Sequence, residues 1–138
     1  MTGVQTCALP ILVRTVLAVD HITRSMTFAG DVPQGWTAQL MRGNFDRLAG
    51  GAADAARQAR AGLDAGDKDQ FSILVSCIGR RLLMGQRTTD EIEAAGAELG
   101  AGTLRVGFYS YGEISPHANS GICELHNQTM TVTSFAEV

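Results

Sequence analysis

Polar and apolar side chains alternate from Val13 to Val19. Ser25–Phe28 resumes the pattern across the Asp20-His21-Ile22-Thr23-Arg24 turn, which predicts an opening β-hairpin. Turn chemistry fills 29–35, and Trp36–Met41 is expected as a third strand. Asn44 stands where a helix N-cap belongs, and Phe45, Leu48, Ala52, Ala55, Ala59 and Leu63 follow at helical spacing. Gly50-Gly51 interrupts that helix at a cost of about 1 kcal/mol per residue relative to alanine, so close packing or a bend is expected there. After a polar loop at 65–69, Gln70–Ser76 is almost continuously apolar, the pattern of a central strand buried on both faces. Arg80–Met84 reads as a short helical turn. Thr88 and Glu91 have capping-box spacing for a second long helix, with Ile92, Ala95 and Leu99 facing inward and Gly100 as its stop. Leu104–Tyr111, Ile122–Asn127 and Thr129–Phe135 close the chain as strands. The fold class is mixed α+β: a mixed sheet of about six to seven strands with two main helices mostly on one face. Two helices cannot cover both faces, so the other needs a partner layer.

The first eleven residues, MTGVQTCALPI, resemble the translation of a sequencing adapter and are read as a disordered, non-native leader in front of a single domain over 12–138. A secretory signal fits poorly, since no basic residue precedes the apolar run and Pro10 breaks it. The net charge is −3, and the basic residues, ten arginines and Lys68, are scattered rather than gathered into a stripe, which argues against a nucleic-acid partner. No apolar run approaches the roughly 20 residues a membrane helix requires. Without Cys7, the remaining Cys77 and Cys123 form no close pair of the kind that marks metal sites or disulfide frameworks. The expected location is a reducing cytoplasm, with a Cys77–Cys123 bridge left open.

Candidate chemistry gathers in the second half. Cys77 lies just beyond a central strand, where ligands of α/β sheets collect; its bland reading is a small buried hydrophobe. As a nucleophile it would need His117 or His126 as base, and a zinc site would draw on Cys77, Cys123 and His126. Arg80 and Arg81 open a helical turn, where cations are disfavoured unless an anion is near. That anion is either a protein carboxylate, with Glu113 and Glu124 as candidates, or a ligand carboxylate or phosphate held by the guanidinium fork. Tyr109 and Tyr111, the only two tyrosines, are expected on one strand face with Glu113. Glu124 and His126 share a face of the next strand, with an internally hydrogen-bonded histidine as the alternative to a ligand contact.

Three segments in order, Ser76-Cys77-Ile78-Gly79-Arg80-Arg81, Gly107–Ile114 and Glu124–Thr131, resemble the FIST C-terminal domain; Phe28–Pro33 and Met41–Asn44 fit as well. The resemblance implies a bacterial sensory domain, normally preceded in its parent chain by a FIST N-terminal domain that would cover the open sheet face. It also implies further signalling domains and a small-molecule ligand such as an amino acid or small carboxylate. No enzyme activity, cofactor or metal is implied. The expected ligand-binding residues are Cys77, Arg80, Arg81, Tyr109, Tyr111, Glu113, His126 and Asn127. A protein-interaction scaffold is the first alternative and a Cys77-dependent hydrolase or transferase the second.

Overall fold

A computed structural model of the chain describes residues 12–63, 68–116 and 123–137. The proposed leader at 1–11 and His117 lie outside them. The chain opens with the expected hairpin, β1 (Val16–Asp20) against β2 (Ser25–Phe28), turned by an Asp20 carboxylate that accepts the backbone N–H groups of Ile22 and Thr23. Trp36–Met41 is not a strand. Trp36, Leu40 and Met41 are exposed, and among the described residues no strand pairs with this segment, so β propensity has no sheet to act in.

Helix α1 (Phe45–Ala61) starts at Asn44, whose side chain accepts the Arg47 N–H at 2.9 Å. It runs unbroken through Gly50-Gly51, and nothing lies within 4 Å of where a Gly50 Cβ would stand. Close packing is therefore not the reason for Gly50. Strand β3 (Lys68–Cys77) then leads into α2 (Ile78–Met84), a single 3₁₀ turn at Gly85–Arg87, and α3 (Thr88–Leu99). No capping box forms: the Thr88 hydroxyl donates to the Gly85 carbonyl, and Glu91 is fully buried. The inward stripe of α3 is Glu91, Ala95 and Leu99, at spacings of four, while Ile92 faces solvent.

Four strands follow: β4 (Leu104–Ser110), β5 (Glu113–Pro116), β6 (Cys123–His126) and β7 (Met130–Glu137). The described residues thus hold seven strands, in agreement with the sequence, with β5 taking the place of Trp36–Met41. They do not form one sheet. The described strands make a three-stranded sheet, β4-β3-β7, and two hairpins, β1-β2 and β5-β6. Strand β3 is central, parallel to β4 and antiparallel to β7.

Both long helices lie on one face of the three-stranded sheet. Ala52, Ala55, Ala56 and Ala95 are wholly buried against Leu74, Leu99, Met130 and Val132. These short side chains let helix and sheet approach closely, so the core is thin but well covered. Its rim is held by Arg57 Nη2 to Glu98 at 2.8 Å, an exposed ion pair of modest value. The other face of the sheet carries Phe71, Ile73 and Val75 on β3, Leu104, Val106 and Phe108 on β4, and Thr131, Thr133 and Phe135 on β7. None of these nine residues is charged, and Leu104 and Phe108 are 66% and 62% exposed. The apolar run in β3 therefore reflects one buried face and one open one.

Candidate functional site

The carboxyl ends of β3 and β4 lie side by side, with Ser76 opposite Tyr109 and Cys77 opposite Ser110. Arg80, in the first turn of α2, is brought there by the helix that follows β3 directly. Its anion is Glu91 of α3, Nε to Oε2 at 2.8 Å, with both side chains at most 4% exposed. Neither Glu113 nor Glu124 fills that role. Ser76 Oγ and the Tyr109 hydroxyl both donate to the other Glu91 oxygen, at 3.1 and 3.2 Å. Arg80 spends its remaining nitrogens on the Leu48 carbonyl at 2.7 Å and the Gln128 carbonyl at 3.3 Å. Desolvation, reinforced by the Glu91 charge, holds the Tyr109 hydroxyl above its ordinary pKa. Arg80 and Tyr109 thus form a closed, charge-balanced floor.

Arg81 behaves differently. It is exposed, stacks over the Tyr109 ring at 5.2 Å, and its guanidinium hydrogen-bonds to no described residue. The pair keeps the fork positioned yet open to an anion. Tyr111 does not share a face with Tyr109, because β4 ends at Ser110; its side chain stands 87% exposed at the mouth of the bend into β5.

Strands β5 and β6 place their polar side inward. Glu113 is directly opposite His126 and Ser115 opposite Glu124. Glu113, Ser115 and His126 are buried, whereas Ile114 and Leu125 on the outer side are exposed. Glu113 accepts hydrogen bonds from Ser110 Oγ at 2.6 Å and from the Thr129 hydroxyl. Burial raises its carboxyl above the ordinary value, opposed by those hydroxyls and by the charge of Arg80. Ser115 Oγ is buried with no hydrogen-bond partner among the described residues. Asn127, also buried, accepts the Thr15 N–H at 3.1 Å and so ties the start of the domain to this end. Cys77 is buried, its backbone N–H bonded to the Thr129 carbonyl at 3.0 Å, and it and the exposed Cys123 are free thiols. Among the described residues no three His, Cys, Asp or Glu side chains come together as metal ligands. No helix among them is long and apolar enough to cross a membrane.

A family model described as the FIST C domain matches residues 4–116. The chain belongs to the FIST C family. These are sensory signal-transduction domains, and the assignment covers the β3–α2 junction and the β4–β5 bend together. The match begins inside the segment read as a leader and ends before β6, so His126 and Asn127 of this FIST C domain lie outside it. No curated protein and no solved structure matches the chain.

Of the expected site residues, the geometry gathers Cys77, Arg80, Arg81, Tyr109 and Glu113 around the carboxyl ends of β3 and β4, with His126 opposite Glu113 and Asn127 next along the chain. It sets Tyr111 apart on the rim. Glu91, the residue that organises Arg80, Ser76 and Tyr109, was missed. Its signal was positional, since it lies four and eight residues before Ala95 and Leu99 and so on the core stripe of its helix.

Proposed function

We propose that this FIST C domain is the carboxy-terminal half of a sensor for a small anionic ligand, an amino acid or carboxylate. The ligand sits at the carboxyl ends of β3 and β4. A FIST N-terminal domain of the same parent chain covers the apolar sheet face and closes the site. The observation that carries the reading is the split between two adjacent arginines: Arg80 is consumed by Glu91, while Arg81 is held over Tyr109 with its donors open. Arg81 takes the ligand's anionic group, Tyr111 contacts its body from the rim, and Glu113 and His126 set the polarity of the wall behind. Cys77 packs under the site as a small apolar group rather than acting as a nucleophile.

The test is calorimetric titration of the two-domain module with amino acids and small carboxylates. Arg81→Ala should weaken binding tenfold or more, because a charged hydrogen bond contributes about 1.5–3 kcal/mol. Arg81→Lys should recover only part of it, since an ammonium lacks the planar fork. Unchanged affinity in Arg81→Ala would refute the anchor, and a module that binds none of these compounds would favour the scaffold reading, which the open sheet face also fits.

A further inference from the structure

The free edge of β4 departs from the way sheet edges are normally protected. Natural edge strands are kept short, bulged, interrupted by proline or guarded by charge. β4 is seven residues long, contains no proline, and keeps an unbroken register with β3 from Leu104 to Ser110. Among the described residues nothing pairs with its outer edge. Its one charge, Arg105, does not guard that edge: the side chain lies back over α3, so close that a Cβ at Gly96 would run into the guanidinium.

The order of residues along β4 is self-complementary. A two-fold axis through Val106 would pair two copies antiparallel, with Leu104 opposite Phe108 of the second copy, Val106 opposite itself and Arg105 opposite Gly107. On the outer face every pair is then apolar against apolar, including two aliphatic–aromatic contacts of the kind that stabilise antiparallel pairs. On the helix side the charge meets a residue without a side chain, never its own copy. Gly107 cannot lengthen to fill that space, because a Cβ there would strike the Leu74 carbonyl of the neighbouring strand.

From this edge and its charge pattern we infer that β4 pairs with β4 of a second copy of the chain about a two-fold axis at Val106, joining the two three-stranded sheets into one of six strands. Such an isologous contact closes on itself and does not propagate into a filament. It uses the backbone edge and leaves the outer face free for another domain, so it stands independently of the ligand reading.

Sedimentation of the whole chain across the micromolar range should show a dimer. Val106→Lys, which sets like charges face to face at the axis, should give a monomer with unchanged circular dichroism. Ile22→Lys, at an exposed position far along the chain from the edge, should leave the dimer intact. With Cys7→Ser and Cys123→Ser as background, Val106→Cys should form an intermolecular disulfide on mild oxidation and Ile22→Cys should not. A wild-type chain that stays monomeric throughout would overturn the inference. So would a dimer that survives Val106→Lys, or one broken by Phe135→Lys on the outer face but not by Val106→Lys.

Discussion

Arg80 shows how much one side chain can hold. Through three nitrogens it fixes Glu91 of α3, the Leu48 carbonyl of α1 and the Gln128 carbonyl before β7. Removing one partner of such a buried pair leaves the other charge without compensation, which costs about 3–5 kcal/mol. Arg80→Ala and Glu91→Ala should each lower the unfolding free energy from chemical denaturation by that order. Losing far less than this in both would show the pair to be dispensable. Gly50 lies at the opposite extreme. It sits exposed in mid-helix with open space around its Cα, so Gly50→Ala should raise stability by roughly 0.5–1 kcal/mol through helix propensity alone. A neutral or destabilising result in the same denaturation series would point to a contact at Gly50 that the structure does not contain.

Among the elements, β5–β6 carries a buried carboxyl that ties its stability to a proton. Glu113 is buried between the Ser110 and Thr129 hydroxyls, with His126 opposite and Arg80 acting from α2. Its folded-state pKa lies above the ordinary value, so the folded chain holds this proton more tightly than the unfolded one. The resulting stabilisation is fully present below the unfolded pKa and is lost as pH rises through the raised folded value. Denaturant midpoints measured upward from about pH 4.5, near the free carboxyl pKa, should therefore fall in the wild type relative to Glu113→Gln; a gap that stays constant or changes sign would contradict this. The same hairpin marks the limit of what the sequence made legible. Helices α1 and α3 and strands β3, β4 and β7 were readable because apolar periodicity and an Asn44 cap specify them locally. β5 was not, because its inward residues, Glu113 and Ser115, are polar and its outward Ile114 is apolar, which inverts the usual signal. Trp36–Met41 failed for the complementary reason: strand-like composition without a strand to pair with. At the site, the need of Arg80 for an anion was legible from its helix position, but the identity of Glu91 depended on how α3 docks, which no local pattern encodes.

Over the whole molecule, the asymmetry of the sheet dominates. One face is closed by alanine-rich helices; the other presents Phe71 stacked on Phe135 at 6.2 Å beside the exposed side chains of β4. An apolar surface of this kind should bind a hydrophobic fluorescent dye under native conditions. Phe135→Lys should reduce the signal without moving the thermal midpoint by more than a degree or two, as expected for a surface substitution. Dye binding that follows unfolding, and is unaffected by Phe135→Lys, would mean the native face is not the source. The central place of β3 also bears on how the chain is made. β3 needs β7 on one side, and Arg80 needs the carbonyl of Gln128, 48 residues further on, so both partners are synthesised well after the groups that need them. While a ribosome is still adding the C-terminal strands, the emerging chain holds an arginine, a strand edge and two alanine-faced helices with nothing complete to close on. Folding of this domain thus waits for β7 to be made, and contacts of such long sequence separation are the slow ones to form.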